Sequence, residues 1–361
     1  MSGDLNPSRF KSGIAGKQLL LFDFHFTARW IGVHVPDMLA KPFFLVGCGR
    51  SGTSLLRSML NNHSRIAIPT ESLFMVDYLR VQDRFALEDL VDLIIDEPEI
   101  TEWGLNVEKV DLSDCENVPE VLKRLHKLYA SSKHADVWGQ KTPRFVRHMQ
   151  TLGSAFPDAV FIHIVRDPRA VVNSLTHSDV HRSNPYHGTR RWCMDVEAGL
   201  AYEVSSPARV HRVSYEELVR EPKQTLENIL EFIGLPYETG MLDHQSDLDE
   251  YSAFYENIHK NLTQEINPGH INKWEHSLTP LQVSIIESIA EDLMFKLGYP
   301  IRYPGSSVSG WYRIRMHVRR TIDLLFQVSK YLRQRRAYFG YLIKRKKRLG
   351  LMKEFMQTIN Y

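Results

Sequence analysis

Short strand-like runs alternate along the chain with segments whose apolar residues recur every three or four positions. Runs at Phe43–Val46, Val137–Gly139, Val160–Val165 and Arg209–Val213 predict strands. After the first, SLLRSMLNN places Leu55, Leu56, Met59 and Leu60 at helical spacing. After the third, DPRAVVNSL puts Pro168 in a first helical turn, and after the fourth, SYEELVREP offers Ser214 as a helix cap. Helical spacing also covers Leu87–Ile95, Val118–Ser131, Thr225–Ile233 and Pro280–Leu297. Strand followed repeatedly by helix predicts an α/β fold, a mostly parallel sheet with helices on both faces.

Charge changes this picture at one end. The net charge is only +2, yet Trp311 to Tyr361 holds 14 lysines and arginines against two acids, and the remainder holds 31 basic and 41 acidic residues. Within that tail Ile314, Val318, Ile322, Leu325, Val328 and Leu332 fall three or four apart, so the extension reads as a basic amphipathic helix, followed by KRKKR at Lys344 to Arg348. Three uses fit such a helix: docking on the acidic body, pairing with a second subunit, or peripheral contact with a membrane surface. No nucleic-acid reading motif accompanies the charge. The expected organisation is an N-terminal arm over 1–40, a main domain over 41–305 and the basic tail over 306–361. Cys48, Cys115 and Cys193 lack metal or disulfide spacing, and the first residues lack the apolar core of a secretory signal. The expected compartment is the cytoplasm, with the tail as a peripheral membrane element if it meets lipid.

Candidate chemistry begins at FLVGCGRSGTSLLRSML, residues 44–60. Gly47 and Gly52 have the spacing of a phosphate loop, but Thr53 and Ser54 stand where a triphosphate loop carries lysine and then a hydroxyl. In an open parallel sheet, ligands bind beyond the carboxyl ends of the strands. The polar residues ending the four runs are Arg50 with Ser51, Lys141, Arg166, and Ser214 with Tyr215. Two arginines, a lysine and a helix N-terminus form an anion site. Taken singly, Arg166 beside Asp167 is equally a local ion pair, and Lys141 a solvated loop residue.

GCGRSGTSLL and HIVRDPRAVVNSL together resemble the two nucleotide segments of the sulfotransferases that use 3'-phosphoadenosine 5'-phosphosulfate (PAPS). Among these the chain is most similar to the tyrosylprotein sulfotransferases and their bacterial relatives, with matches in the same order from about Pro42 to Trp274. The resemblance implies a P-loop type sheet, a sulfotransferase moving a sulfuryl group from PAPS to an acceptor hydroxyl or amine by in-line displacement, and adenosine 3',5'-bisphosphate as product. A sulfuryl group carries less negative charge than a phosphoryl group, which makes the missing lysine intelligible and removes the need for a metal.

It also implies the site. The 5'-phosphosulfate would lie on Gly49, Arg50, Ser51, Gly52 and Thr53, with the hydroxyls of Thr53 and Ser54 as further donors. Arg166 and Ser174 would hold the 3'-phosphate, which requires Arg166 to precede a helix and Ser174 to lie two turns into it. Ser178 replaces an arginine of related enzymes, so a further cation is expected from Arg182, Arg190 or Arg191. Glu71 would be the base, and Lys141 and Arg50 would stabilise charge on the bridging oxygen. Glu71 as a helix-start cap, and His63 as an alternative base, remain open. Tyr215 resembles a tyrosine near the nucleotide and fits a strand–helix corner as well. Lys273 and Trp274 resemble a late segment closing over the adenosine side.

The acceptor is not fixed by these residues: peptide tyrosine, sugar, lipid and small alcohol all fit. Aromatics including Phe74, Tyr78, Trp192 and Tyr251 suit an acceptor pocket or a core equally, and Asp243 to Glu250 an acidic loop or a cation-binding one. Two functions of other classes compete: a P-loop nucleoside or small-molecule kinase, disfavoured by Thr53, and a catalytically silent nucleotide-binding scaffold, disfavoured by Glu71 with Lys141.

Overall fold

A computed structural model describes residues 40–178, 183–243, 267–334 and 336–353 of the chain. The N-terminal arm up to residue 39, Arg182 and the stretch from Asp247 to Tyr255 lie outside the described residues. Lys41–Tyr361 group as one compact unit, so the basic tail is not set apart from the body.

Five parallel strands form one sheet: β1 (Phe43–Gly47), β2 (Ile66–Ala67), β3 (Val137–Lys141), β4 (Val160–Val165) and β5 (Val210–Ser214), in the order β2-β3-β1-β4-β5. The short edge strand β2 is absent from the sequence reading because two residues carry no periodicity. Strand β1 is buried throughout, as a central parallel strand covered on both faces must be. Its register sets Leu45 beside Lys141 and Gly47 beside Ile164. The carboxyl ends of β1, β3 and β4 are therefore neighbours, which is where an open α/β sheet holds its ligand.

The helices that follow are α1 (Thr53–Asn61), α2 (Phe74–Val81), α3 (Leu87–Ile95), α4 (Pro98–Glu102), α5 (Val118–Ser132), α6 (Met149–Ala155), α7 (Pro168–Thr176), α8 (Pro185–Ser205), α9 (Tyr215–Arg220), α10 (Pro222–Ile233), α11 (Trp274–Ser277), α12 (Pro280–Lys296), α13 (Gly310–Gln334) and α14 (Arg336–Arg348). Proline at the first turn of α7, with the Asp167 side chain accepting from the Arg169 amide, starts that helix directly after β4. Ser214 caps α9 in the same way after β5.

Two cores sandwich the sheet. On one side Phe44, Val46 and Phe161 pack with Phe74, Tyr78, Leu125 and Trp138; on the other Val165, Val171 and Leu175 pack with Trp192, Val196 and Met294. Phe74, Tyr78 and Trp192 are fully buried, so they are core residues and line no open acceptor pocket.

Helix α14 docks through charge. Arg345 is buried, with Nη1 2.5 Å from Glu97 Oε2 and 3.6 Å from Glu99 Oε1, and its Nε 3.4 Å from Asp77 Oδ2. Lys346 Nζ donates to Asp77 Oδ1 at 2.5 Å, and the Tyr78 hydroxyl donates to Glu97 Oε1 at 2.6 Å. Part of the tail's positive charge is thus spent on the acidic residues of α2 and the α3–α4 turn.

Candidate active site

The loop after β1 turns through two left-handed residues, Arg50 at φ 76° and Gly52 at φ 96°. Left-handed turns of this kind build anion nests; the Ser51 amide is already given to the Cys48 carbonyl at 3.1 Å, which leaves the neighbouring amides and the N-terminus of α1, immediately behind, for an anion. Gly52 has a second constraint: a Cβ there would lie 2.3 Å from Tyr215 Cδ2. Tyr215, at the β5–α9 corner, therefore forms the wall under the loop.

Arg50, Arg166 and Ser174 meet at this loop. Arg50 Nε donates to Ser174 Oγ at 2.9 Å, and Arg166 Nη1 donates to the Arg50 carbonyl at 3.2 Å. Arg166 precedes α7 and Ser174 lies two turns into it, the arrangement the sequence required. The Arg166 guanidinium lies 3.9 Å over the Tyr215 ring and reaches the His270 carbonyl at 3.4 Å. Asp167 turns away and pairs with Arg169, 2.6 Å from its Nη2, so the local Arg166–Asp167 ion pair does not form. Among the described residues neither Arg50 nor Arg166 has a carboxylate partner. Burial, and then repulsion from Arg166, lower the Arg50 pKa. Arg166 Nε and the Ser51 hydroxyl are buried without a partner. Two unneutralised guanidiniums, orphaned donors and a backbone nest are complementary to a phosphate-bearing ligand.

The second cluster stands at the end of β3. Lys141 Nζ, 2% exposed, lies 2.9 Å from Glu71 Oε1, whose side chain is 35% exposed. Lys141 is thus no solvated loop residue. Glu71 makes no cap bond to α2, which begins at Phe74 without a side-chain cap. The segment carrying Glu71 is pinned residue by residue. Gln140 Nε2 donates to the Thr70 carbonyl at 3.2 Å, Lys141 binds Glu71, and the Ser72 amide donates to Thr142 Oγ1 at 3.0 Å. The buried Arg57 of α1 adds bonds to the Ile68 carbonyl at 2.6 Å and the Pro69 carbonyl at 3.2 Å, coupling this segment to the helix behind the loop.

His63 is unavailable as a base. It is buried, with Nε2 donating to the Pro236 carbonyl at 2.9 Å and Nδ1 accepting from the Arg65 amide at 3.1 Å. Both ring nitrogens are occupied. Cys48, beside the loop, is a buried thiol whose pKa burial and the nearby Asp195 push well above its ordinary value.

Lys273 and Trp274, expected together over the adenosine side, sit in different surroundings. Trp274 is 3% exposed and packs with Ala170, Val172, Leu278 and Ile286, under the guanidiniums of Arg169 at 4.2 Å and Arg302 at 4.6 Å. No open surface remains for a base, so it is a packing residue. Lys273 is exposed just before α11; it is His270, three residues earlier, that touches Arg166. Of the expected additional cations, Arg191 reaches the loop, its Nη2 3.0 Å from where a Gly49 Cβ would stand, whereas Arg190 lies by Tyr186.

Arg144 was missed because nothing in its spacing marks it. It follows Lys141 by three residues, in the turn Pro143–His148, with its own surface open to solvent. Its charged neighbours are Arg191 and Arg147 on one side of the balance, and Asp195 and, more weakly, Glu71 on the other. No hydrogen bond or ion pair engages it among the described residues.

Comparison with known proteins gives this geometry a family. The chain is 23% identical over 300 residues to protein-tyrosine sulfotransferase 1 of Danio rerio, covering 78% of this chain and 80% of the relative. It is 25% identical over 303 residues to protein-tyrosine sulfotransferase 1 of Mus musculus, covering 81% and 79%. The sulfotransferase domain from the curacin biosynthetic pathway shares the fold with a TM-score of 0.54 at 21% identity, over 73% of this chain and 99% of that one. The model of the sulfotransferase family matches residues 42–239, which hold the loop, Glu71, Lys141, Arg166 and Ser174. The chain belongs to the sulfotransferase family and is an enzyme of sulfuryl transfer.

Proposed function

We propose that the donor is PAPS and that the acceptor is a protein tyrosine with acidic neighbours. The observation that carries the reading is the junction of a carboxylate-free arginine pair, Arg50 and Arg166, with the Lys141–Glu71 pair at adjoining strand ends. The loop nest and Arg50 suit the 5' end of the donor. Arg166 and Ser174 suit its 3'-phosphate, and Arg191 is the further cation close enough to assist. The kinase alternative lacks the loop lysine, and a silent scaffold has no use for Glu71 set against Lys141.

In the proposed reaction the acceptor oxygen attacks sulfur, its proton passes to Glu71, and the bond from sulfur to the bridging phosphate oxygen breaks. Lys141 and Arg50 stabilise the charge left on that oxygen. No magnesium bridge is required, because the transferred group is less charged than a phosphoryl group.

The acceptor class is supported by the tyrosine sulfotransferases among the relatives and by Arg144. An open, unpaired guanidinium beside the base attracts acid flanking the reacting hydroxyl. Incubation with labelled PAPS and a panel of tyrosine peptides, sugars and lipid alcohols tests it. Transfer to acidic tyrosine peptides above neutral ones is expected. Transfer confined to sugars or lipids would replace the acceptor while keeping the donor, and no transfer to any class would remove both.

A further inference from the structure

Helix α13 carries an apolar stripe that the fold does not use. Its inner face is already anchored: Met316 is buried, the Asn184 amide donates to the Met316 carbonyl at 3.1 Å, and Arg320 Nη1 lies 2.7 Å from His187 Nδ1. At helical spacing Trp311, Ile314, Val318 and Ile322 share the face across the helix from Met316. They are 75%, 57%, 57% and 62% exposed, a contiguous row of large apolar side chains in water. Scattered exposed hydrophobics need no explanation, whereas a continuous stripe marks an interaction surface.

We infer that this stripe is a docking surface for an anionic lipid bilayer. Charge selects the occupant. Arg315 and Arg319 border the stripe, and the first acidic residue of α13 is Asp323, beyond it. A second copy laid stripe to stripe would bring the Arg315 and Arg319 borders of two chains together, which like charge opposes. The described part of the acidic body does not take the stripe, because the opposite face of α13 is the one that rests there. An anionic bilayer meets both halves of the surface, with the apolar row entering the acyl boundary, Trp311 suited to the interface and the arginines reaching headgroups. No described helix is long and apolar enough to cross a membrane, so the contact lies on the surface.

Flotation of the full chain with phosphatidylcholine vesicles, with and without phosphatidylserine, tests this at low and high salt. Binding is expected only to the anionic vesicles and is expected to fall with salt. Val318→Glu with Ile322→Glu, and separately Arg315→Glu, should each reduce the bound fraction about tenfold or more. Both apolar positions are exposed, so thermal melting should be unchanged; if the double variant melts early, Trp311→Ser takes its place. Equal binding to neutral and anionic vesicles, or full binding by the variants, overturns the inference. So does a wild-type chain that ignores vesicles but self-associates in analytical ultracentrifugation until Val318→Glu separates it, which would give the stripe to a second copy.

Discussion

Lys141 Nζ lies 2.9 Å from Glu71 Oε1, joining residues seventy positions apart at the carboxyl end of β3. The bonds from Gln140 to Thr70 and from Ser72 to Thr142 on either side make this pair part of a fixed segment. The group proposed to take the acceptor proton and the cation proposed to steady the leaving oxygen are thus held in one rigid unit before any ligand arrives. Such preorganisation is how charged groups act most strongly on a transition state.

Glu71→Gln keeps the shape of the side chain and cannot take the proton. Turnover should fall about 100-fold to 10,000-fold, with donor affinity near wild type. Steady-state rates with calorimetry of adenosine 3',5'-bisphosphate check this; normal turnover would send the search for a base elsewhere, with His63 already excluded by its two hydrogen bonds.

Arg166 has no carboxylate partner and an orphaned Nε, so its strongest partner should be the donor's 3'-phosphate. Arg166→Ala should weaken adenosine 3',5'-bisphosphate by about 1.5–3 kcal/mol and 5'-AMP far less. Calorimetry that finds equal losses for both nucleotides removes Arg166 from that role.

Gly52 combines φ 96° with a Tyr215 ring atom 2.3 Å from any added Cβ. Gly52→Ala should cost about 2 kcal/mol or more and disturb donor binding as Tyr215 is displaced from under the loop and Arg166. Gly240, with nothing within 4 Å of an added Cβ, is the control. Thermal melts of both variants should separate clearly.

Arg345 compensates Glu97 inside the protein, with Asp77 and Glu99 close by. Arg345→Ala should destabilise by about 3–5 kcal/mol, because a buried carboxylate loses its partner. Denaturant unfolding of Arg345→Met with Glu97→Gln should recover much of that loss. A single variant as stable as wild type would show that α14 is not held by this pair.

His163 is fully buried with neither ring nitrogen bonded, and burial, then Arg212, lower its pKa to about 3. The folded state favours the neutral ring, so its contribution is complete above the unfolded value of about 6.5 and is lost as pH falls toward 3. At pH 5 this amounts to about 2 kcal/mol. His163→Leu should flatten the decline of melting temperature between pH 7 and pH 5; an unchanged slope would assign the acid sensitivity to other groups.

The sequence by itself determined the sheet, the loop and which strand ends carry charge. Apolar runs, helical periodicity, glycine spacing and Pro168 act through neighbours in the chain, and neighbours in the chain are what a sequence displays. Arg50, Lys141, Arg166 and Tyr215 were legible for the same reason, since each follows directly on a strand. The tertiary structure alone decided partners. It set Glu71 against Lys141, turned Asp167 from Arg166 to Arg169, sealed Trp274 between helices and exposed Arg144. It also split the basic tail, burying Arg345 against a carboxylate 248 residues away while leaving the Trp311–Ile322 stripe in water. Burial and pairing depend on contacts between distant segments, and one periodic pattern serves an inward or an outward face equally well until those contacts form.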